Sequence, residues 1–328
     1  MTNLARGRCL LRRMLLLLVV SAGVPLALRA QISRVPRPSA DASTLATDLD
    51  ATEQRLYEAS RRSPRDPAAR AALGEWLASR GQLRSGAVLL EEARLFGGDA
   101  NAIAARLAHL YTWLRDWPSL AALPASGLNA GERTRAIALA DRTTSVTGAD
   151  TTVLPFAPLE IGRLGRVPLV LGTDTVWSEV DPQEEGIVLP GLGRGAGLVE
   201  ILDADRRGPL GIIRECAIGD LVLRNVPVRV DPSLSADRAR VGFDVFTWLA
   251  PTVDAQAGTV TLRRAGHVGE RPGATALPLL LGFPGVRLAP RPGEPPVPIT
   301  SPAGRATLRG HPWTVDVRRG VIWLDAAR

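Results

Sequence analysis

The stretch GRVPLVLGTD, residues 165–174, determines how the second half of this chain is expected to fold. Apolar residues fill it from Val167 to Leu171, and Gly172, Thr173 and Asp174 follow at once. This order predicts a short strand that ends in a turn. Similar runs, rich in Val, Leu and Ile and bounded by Gly, Pro and Asp, occupy residues 159–162, 186–190, 198–202, 210–213, 221–230 and 259–263. The sequence therefore predicts an all-β region after about residue 144.

Residues 44–146 differ, because Ala, Leu, Arg and Glu dominate and apolar residues recur at helical spacing. Five positions match at a separation of 34 residues: Leu73 and Leu107, Trp76 and Leu110, Leu77 and Tyr111, Leu83 and Trp117, Ala87 and Ala121. Helix-turn-helix units at this period resemble tetratricopeptide repeats, which implies a concave peptide-binding surface. A generic domain of helical hairpins is the alternative.

The N-terminus has the composition of a targeting segment. Four arginines precede the apolar run Met14–Val20, as in a secretory signal, and the run is short for a membrane span. We expect residues 1–30 to be a signal peptide cleaved near residues 27–30, and residues 31–43 to be a linker. An uncleaved membrane anchor is the alternative. Either way the protein is expected to be exported, to the periplasm or the extracellular space.

The net charge comes mostly from this segment. Residues 1–30 hold five arginines and no acid, and the remainder carries 35 basic and 33 acidic residues. A chain this evenly balanced has no basic stripe for nucleic acid, so nucleic acid is excluded as a partner. After cleavage Cys216 is the only cysteine, and no intramolecular disulfide can form.

Three segments of the β region together resemble retropepsin-like aspartic peptidases. Residues 159–174 are similar to the first hairpin and active-site strand of that family, and residues 218–230 to a later strand pair. Arg240–Asp244 is similar to its hydrophobic-hydrophobic-Gly element, before a short helix and a closing hairpin at 252–262. The resemblance covers residues 150–265. It implies an α+β multidomain protein, in which an N-terminal all-α helical-repeat domain precedes an all-β retropepsin-like (acid protease) barrel; a generic β-sandwich or barrel is the alternative.

The resemblance also defines the expected site. The family uses two carboxylates that share a proton, each from an Asp-Thr-Gly or Asp-Ser-Gly loop, and neither triplet occurs here. In one alignment Gly172, Thr173 and Asp174 occupy the three positions, so glycine replaces the catalytic Asp. In the other, Asp174 and Thr175 keep their places, but Val176 replaces a glycine and resists a positive φ. Asp174 is thus the catalytic candidate, and its simpler interpretation is an Asp at a turn beside a strand.

The tail, residues 266–328, echoes the preceding region. Residues 277–282 repeat the pattern of residues 167–172, and residues 314–324 repeat that of residues 252–262. The tail is interpreted either as a shortened second lobe or as chance similarity in a Leu- and Val-rich chain. In a second lobe, Gly282 would stand at the position of the Asp.

The functional expectation is a non-catalytic module of the cell envelope that binds an extended peptide or protein segment. The alternative is an active aspartic endopeptidase that uses Asp174 and works as a homodimer. A purely structural envelope protein is a third possibility. The three histidines, His109, His267 and His311, are scattered, so no metal and no cofactor are expected. Membrane contact is expected only if the signal segment is retained.

Overall fold

The computed structural model describes residues 47–124, 126–158, 163–191, 197–235, 238–264, 268, 271–282, 285–289 and 295–326. Contacts divide the chain into residues 1–40 and residues 41–328, and every described residue belongs to the second unit. The predicted signal peptide lies outside the described residues, as does the linker 31–43. The boundaries predicted at 44–146, 150–265 and 266–328 stay predictions, and the contacts place all three segments in that second unit.

The first part of the described chain is helical, as the apolar spacing predicts. Its helices are α1 (Thr47–Arg62), α2 (Pro67–Ser79), α3 (Leu83–Leu95), α4 (Ala100–Leu114), α5 (Trp117–Ala121) and α6 (Ala130–Ala140).

Polar side chains begin four of these helices, α2, α4, α5 and α6, by accepting hydrogen bonds from otherwise free backbone N–H groups. Asp66 caps α2, with Pro67 in the first turn, and Asp99 caps α4. Asn129 and Glu132 form a reciprocal capping box at the start of α6. The starts of these four helices are therefore encoded by local residues.

Helices α2 and α3 form one antiparallel pair, and α4 and α5 begin a second. Residues that match at 34-residue spacing are buried in both pairs, including Leu73 with Leu107 and Leu83 with Trp117. Helix α5 is only 5 residues long against 13 for α3, so the second pair is incomplete. The assignment to tetratricopeptide repeats stays a prediction.

The rest of the described chain is mostly β-structure, as predicted. The strands are β1 (Ser145–Gly148), β2 (Thr151–Pro155), β3 (Ala157–Pro158), β4 (Gly165–Leu171), β5 (Asp174–Asp181), β6 (Ile187–Leu189), β7 (Val199–Asp205), β8 (Gly208–Ile218), β9 (Leu221–Val230), β10 (Ala239–Gly242), β11 (Thr252–Asp254), β12 (Thr259–Arg263), β13 (Thr275–Leu281), β14 (Val286–Leu288), β15 (Val297–Pro298), β16 (Trp313–Asp316) and β17 (Val321–Leu324). Two short helices interrupt them, α7 (Phe243–Thr247) and α8 (Pro302–Leu308). The strand predicted at 159–162 lies outside the described residues.

A closed barrel forms within the first sheet. Its ring runs β9-β6-β10-β5-β4-β8 and returns to β9, because β8 pairs with both β4 and β9. Two of the pairs, β6 with β9 and β5 with β10, are parallel. Alternate side chains of β4 point inward and are fully buried: Val167, Leu169 and Leu171. The predicted α-then-β order and a barrel are thus present in the structure.

The tail completes a second sheet, in the order β15-β14-β13-β17-β16-β11-β12-β2. Strand β16 pairs with β11, so that Thr252 stands opposite Thr314, the residue that echoes it in sequence. Their hydroxyl oxygens are 2.7 Å apart. The following turns also correspond, since Gly258 and Gly320 have φ of 64° and 62°. The two echoing hairpins therefore meet through equivalent residues, while the origin of the tail as a second lobe stays a prediction.

The helices and the barrel share one buried core, which runs from α3 and α4 into the strands. The turn between α2 and α3 packs against the turn between β16 and β17. Both turns use glycine with positive φ, Gly81 at 80° and Gly320 at 62°. A Cβ at Gly320 would lie 2.4 Å from the carbonyl oxygen of Arg80, so only glycine fits this contact.

The replacement Gly81→Ala measures this contact. Its Cβ would lie 1.8 Å from the carbonyl oxygen of Val317, so the two turns must separate. We expect the free energy of unfolding to fall by about 3 kcal/mol, measured by urea denaturation. Gly97→Ala is the matched control, because Gly97 has φ of 89° but no atom lies within 4 Å of the added Cβ. Its loss should be about 1 kcal/mol, and equal losses in both variants would contradict a role for the turn contact.

Candidate functional site

Residues Asp181–Gly186, here called the acid loop, connect β5 to β6 and bring several carboxylates to one end of the barrel. Strand β5 runs parallel to β10, and Asp181 stands opposite Gly242 in their pairing. A Cβ at Gly242 would lie 2.6 Å from the carbonyl oxygen of Glu184 and 2.8 Å from Cα of Glu185. Glycine at this position lets the loop lie directly against β10.

Asp244, in the first turn of α7, holds the same loop by a hydrogen bond to its backbone. Its Oδ1 accepts a hydrogen bond of 2.9 Å from the backbone N–H of Gly186, and the N–H of Gly242 donates to the carbonyl of Gly186 at 2.7 Å. Asp244 is 0% exposed. Burial, followed by the nearby charge of Glu185, raises the pKa of Asp244 to about 7. Because the Asp244 carboxyl is fully buried, a substrate cannot contact it in this structure. The carboxyl instead holds the backbone of the acid loop through Gly186.

Asp181 is also buried, with 2% of its surface exposed. Its Oδ1 accepts from the backbone N–H of Gln183 at 3.0 Å, and its Oδ2 lies 3.0 Å from Nη2 of Arg163. Burial raises the pKa of Asp181, while the Gln183 hydrogen bond and the Arg163 charge oppose that rise. Asp181 is therefore an ion-paired acid at the start of the loop.

The two glutamates of the loop bind other elements. Glu184 accepts two hydrogen bonds from Arg207, at 2.9 and 3.0 Å, and a third from Arg240 at 3.3 Å. Arg207 lies in the turn between β7 and β8, so the tip of that hairpin is tied to the loop. Glu185 binds α4: its Oε1 lies 2.8 Å from Nδ1 of His109 and 3.2 Å from Nε1 of Trp113.

Aromatic contacts reinforce the junction between α4 and α7. The rings of Trp113 and Phe243 lie 6.5 Å apart, and the guanidinium of Arg115 lies 4.7 Å above the ring of Trp248. Cation–π and aromatic pairs of this kind add to the burial of their apolar surface. The helical region therefore covers one side of the acid loop.

The sequence-predicted site residues occupy the other end of β5. Gly172 and Thr173 form the two-residue turn between β4 and β5, with φ of 63° at Gly172, and Leu171 pairs with Asp174. Asp174 is the half-buried first residue of β5, and Thr175 is exposed. At about 3.3 Å per residue, Asp174 lies about 23 Å from Asp181 along the strand. The structure thus places the predicted motif in a hairpin turn, and the buried loop follows the second strand of that hairpin.

Sequence reasoning did not assign a role to Asp181 or to Asp244. The sequence did contain an indication of Asp181. A Gly-Thr turn between two apolar runs is typical of a hairpin, and in a hairpin the next loop begins where the second strand ends, at Asp181. The position of Asp244 depends on the pairing of β5 with β10, which no local pattern shows.

Other reactive groups give no second site among the described residues. Burial raises the pKa of the Cys216 thiol to about 12, so it is inert as a nucleophile. Within the described ranges no group of three or more His, Cys, Asp and Glu side chains could hold a metal ion. A cavity of about 10 Å³, lined by Val180, Phe243 and other apolar side chains, is too small for a substrate. The described part of the chain also contains no helix that is long and apolar enough to cross a membrane.

A crystal structure of a retropepsin-like aspartic protease from Rickettsia conorii is similar over 37% of this chain and 94% of that chain, with 13% identity and a TM-score of 0.27. No family model and no curated protein matches this chain. At this TM-score the likeness does not establish a family.

Arg163→Gln measures how far Asp181 depends on its cation. Asp181 would remain buried but lose its nearest positive charge, so we expect a loss of about 2 kcal/mol in unfolding free energy at pH 7. The loss should shrink at about pH 4, because a protonated Asp181 has no charge to stabilise. Arg214→Gln is the control, since Arg214 is 62% exposed and lies 3.7 Å from Glu200. A loss in Arg163→Gln that does not change with pH would contradict this role.

Proposed function

We propose that this protein is an exported, non-catalytic module of the cell envelope that binds extended polypeptide. One observation carries the non-catalytic part of the proposal: the carboxylates of the acid loop are already engaged. Asp181 pairs with Arg163, Glu184 with Arg207, and Glu185 with His109.

Aspartic-peptidase chemistry needs a different arrangement. Two carboxyls must share one proton and hold a water between them, so that one acts as base and the other as acid. An arginine 3.0 Å from Asp181 favours the ionised form and occupies Oδ2. The loop sequence Asp181-Pro182-Gln183 also lacks the hydroxyl and the glycine that the resemblance implies. These features support a loop that stabilises the fold.

The polypeptide-binding part is supported by exposed apolar side chains. Trp177 is 41% exposed on the outer face of the β4–β5 hairpin, opposite Pro168. Large aromatic side chains of this kind supply most of the energy in many polypeptide interfaces. On the helical region Phe96 is 39% exposed and Leu95 is 76% exposed. These positions offer two separable contact surfaces.

Binding is tested with an unfolded, fluorescently labelled casein. We expect saturable binding by the full chain, and a weakening of at least about tenfold in Trp177→Ala if the barrel surface carries it. Phe96→Ala is the matched aromatic variant for the helical surface. Absence of saturable binding in the wild-type protein would refute the polypeptide-binding proposal and favour a purely structural role.

An active aspartic endopeptidase is the second candidate, favoured by the burial of Asp181 and by its raised pKa. The test is incubation with the same casein between about pH 3 and pH 6. We expect no cleavage. Cleavage that is abolished by Asp181→Asn would establish catalysis at the acid loop, and cleavage that is abolished by Asp174→Asn would establish catalysis at the site predicted from sequence. Either result would replace the non-catalytic proposal.

A further inference from the structure

The carboxylate of Glu185, in the acid loop, interacts with groups from both the helical region and the barrel region. On one side Oε1 is bound by His109 and Trp113 of α4. On the other side Glu185 is the charged neighbour that most raises the pKa of Asp244, after burial itself. Three titratable groups from α4, the acid loop and α7 therefore interact across one contact.

We propose that the contact between α4 and the acid loop is a pH-sensitive junction, which is held in mildly acidic solution and loosens as the solution becomes mildly alkaline. This inference concerns the conformation of the loop, and it stands independently of whether the protein binds polypeptide.

His109 contributes the attractive part. Burial lowers the pKa of His109, but the hydrogen bond to Glu185 and the charge of Glu185 together outweigh burial, so that the pKa is raised above 6.5. The folded state therefore favours protonated His109. This contribution is fully present below about pH 6.5 and is lost as the pH rises through the folded pKa.

Asp244 contributes the repulsive part in the same direction. A carboxyl with a folded pKa of about 7 is neutral in mild acid, where it has no charge to set against Glu185. An unfolded chain ionises the same group near pH 3.8, so the folded state is increasingly disfavoured from there up to about pH 7. Above about pH 7 the buried negative charge of Asp244 faces the negative charge of the half-buried Glu185.

Other charged groups contribute to the stability of the junction, but their contribution does not change over this pH range. Arg106 of α4 opposes protonation of His109, and Glu132 of α6 favours it. Arg135 of α6 faces Glu185. Arg115, at the end of α4, faces both Asp244 and Arg318. The arginines keep their charge over the whole range, so the change comes from the shared carboxylate and its two titrating neighbours.

Loosening would extend beyond the junction, because the acid loop also carries Glu184. That side chain holds Arg207 at the tip of the β7–β8 hairpin. A loop that moves away from α4 and α7 therefore weakens the attachment of the hairpin tip as well.

Hydrogen–deuterium exchange of the full chain, at about pH 5.5 and about pH 8 with labelling times scaled to intrinsic exchange, tests the junction. We expect the protection of the Gly186 amide, which donates to Asp244, to fall at least about tenfold at the higher pH. Peptides from β9, in the barrel wall, should keep their protection. Equal protection of Gly186 at both pH values would overturn the proposal, as would a uniform loss over the whole chain, which indicates global unfolding.

Two variants separate the charges from the packing. Asp244→Asn keeps an oxygen that accepts from Gly186 but cannot ionise, and Glu185→Gln keeps an acceptor for Trp113. Asp244→Asn should remove most of the pH dependence at Gly186, and Glu185→Gln should reduce it, because burial still raises the pKa of Asp244 in that variant. His311→Gln is the control, because His311 binds the carbonyl of Asp325 in the tail. Wild-type pH dependence in both Asp244→Asn and Glu185→Gln would overturn the proposal, and if one variant fails to fold, the other decides.

Discussion

Burial of carboxylates at one turn is the constraint on which the rest of this structure depends. Asp181, Glu184 and Glu185 lie within one loop, and Asp244 lies directly against it. A buried carboxylate is tolerated only with hydrogen-bond donors or cations around it. The donors come from α4, the β7–β8 turn, strand β10 and residue 163, so the loop forces these elements together.

Because of these contacts, the helical region packs closely against the barrel. Trp113 and His109 face the barrel, and the Gly81 turn fits against the tail. One core then runs through helices and strands. The face of α4 that contacts the acid loop is not free to bind a peptide. A concave groove of the kind that the 34-residue spacing implies therefore has less free surface here than in an isolated repeat domain.

The sequence was informative wherever structure is local. Apolar residues at helical spacing predicted the helical region and apolar runs such as 221–230 predicted strands, and strand β9 occupies those same residues. The site was harder to predict, because its position depends on which strand enters the loop. Val167–Leu171 ends in a two-residue turn, and the partner of Asp181 is Gly242, far away in sequence. Parallel pairing between such distant segments is set by the closed barrel, and no window of residues records it.

The meeting of the two echoing hairpins affects how this protein assembles. Strand β11 would present an open edge, and in a chain without the tail that edge could be completed only by another molecule. Here β16 fills it, with Thr314 opposite Thr252. A sheet completed in this way forms by a unimolecular step, so its stability does not fall on dilution as that of an intermolecular sheet does. Covalent linkage thus fixes the local concentration of the second hairpin, whatever the abundance of the protein in its compartment.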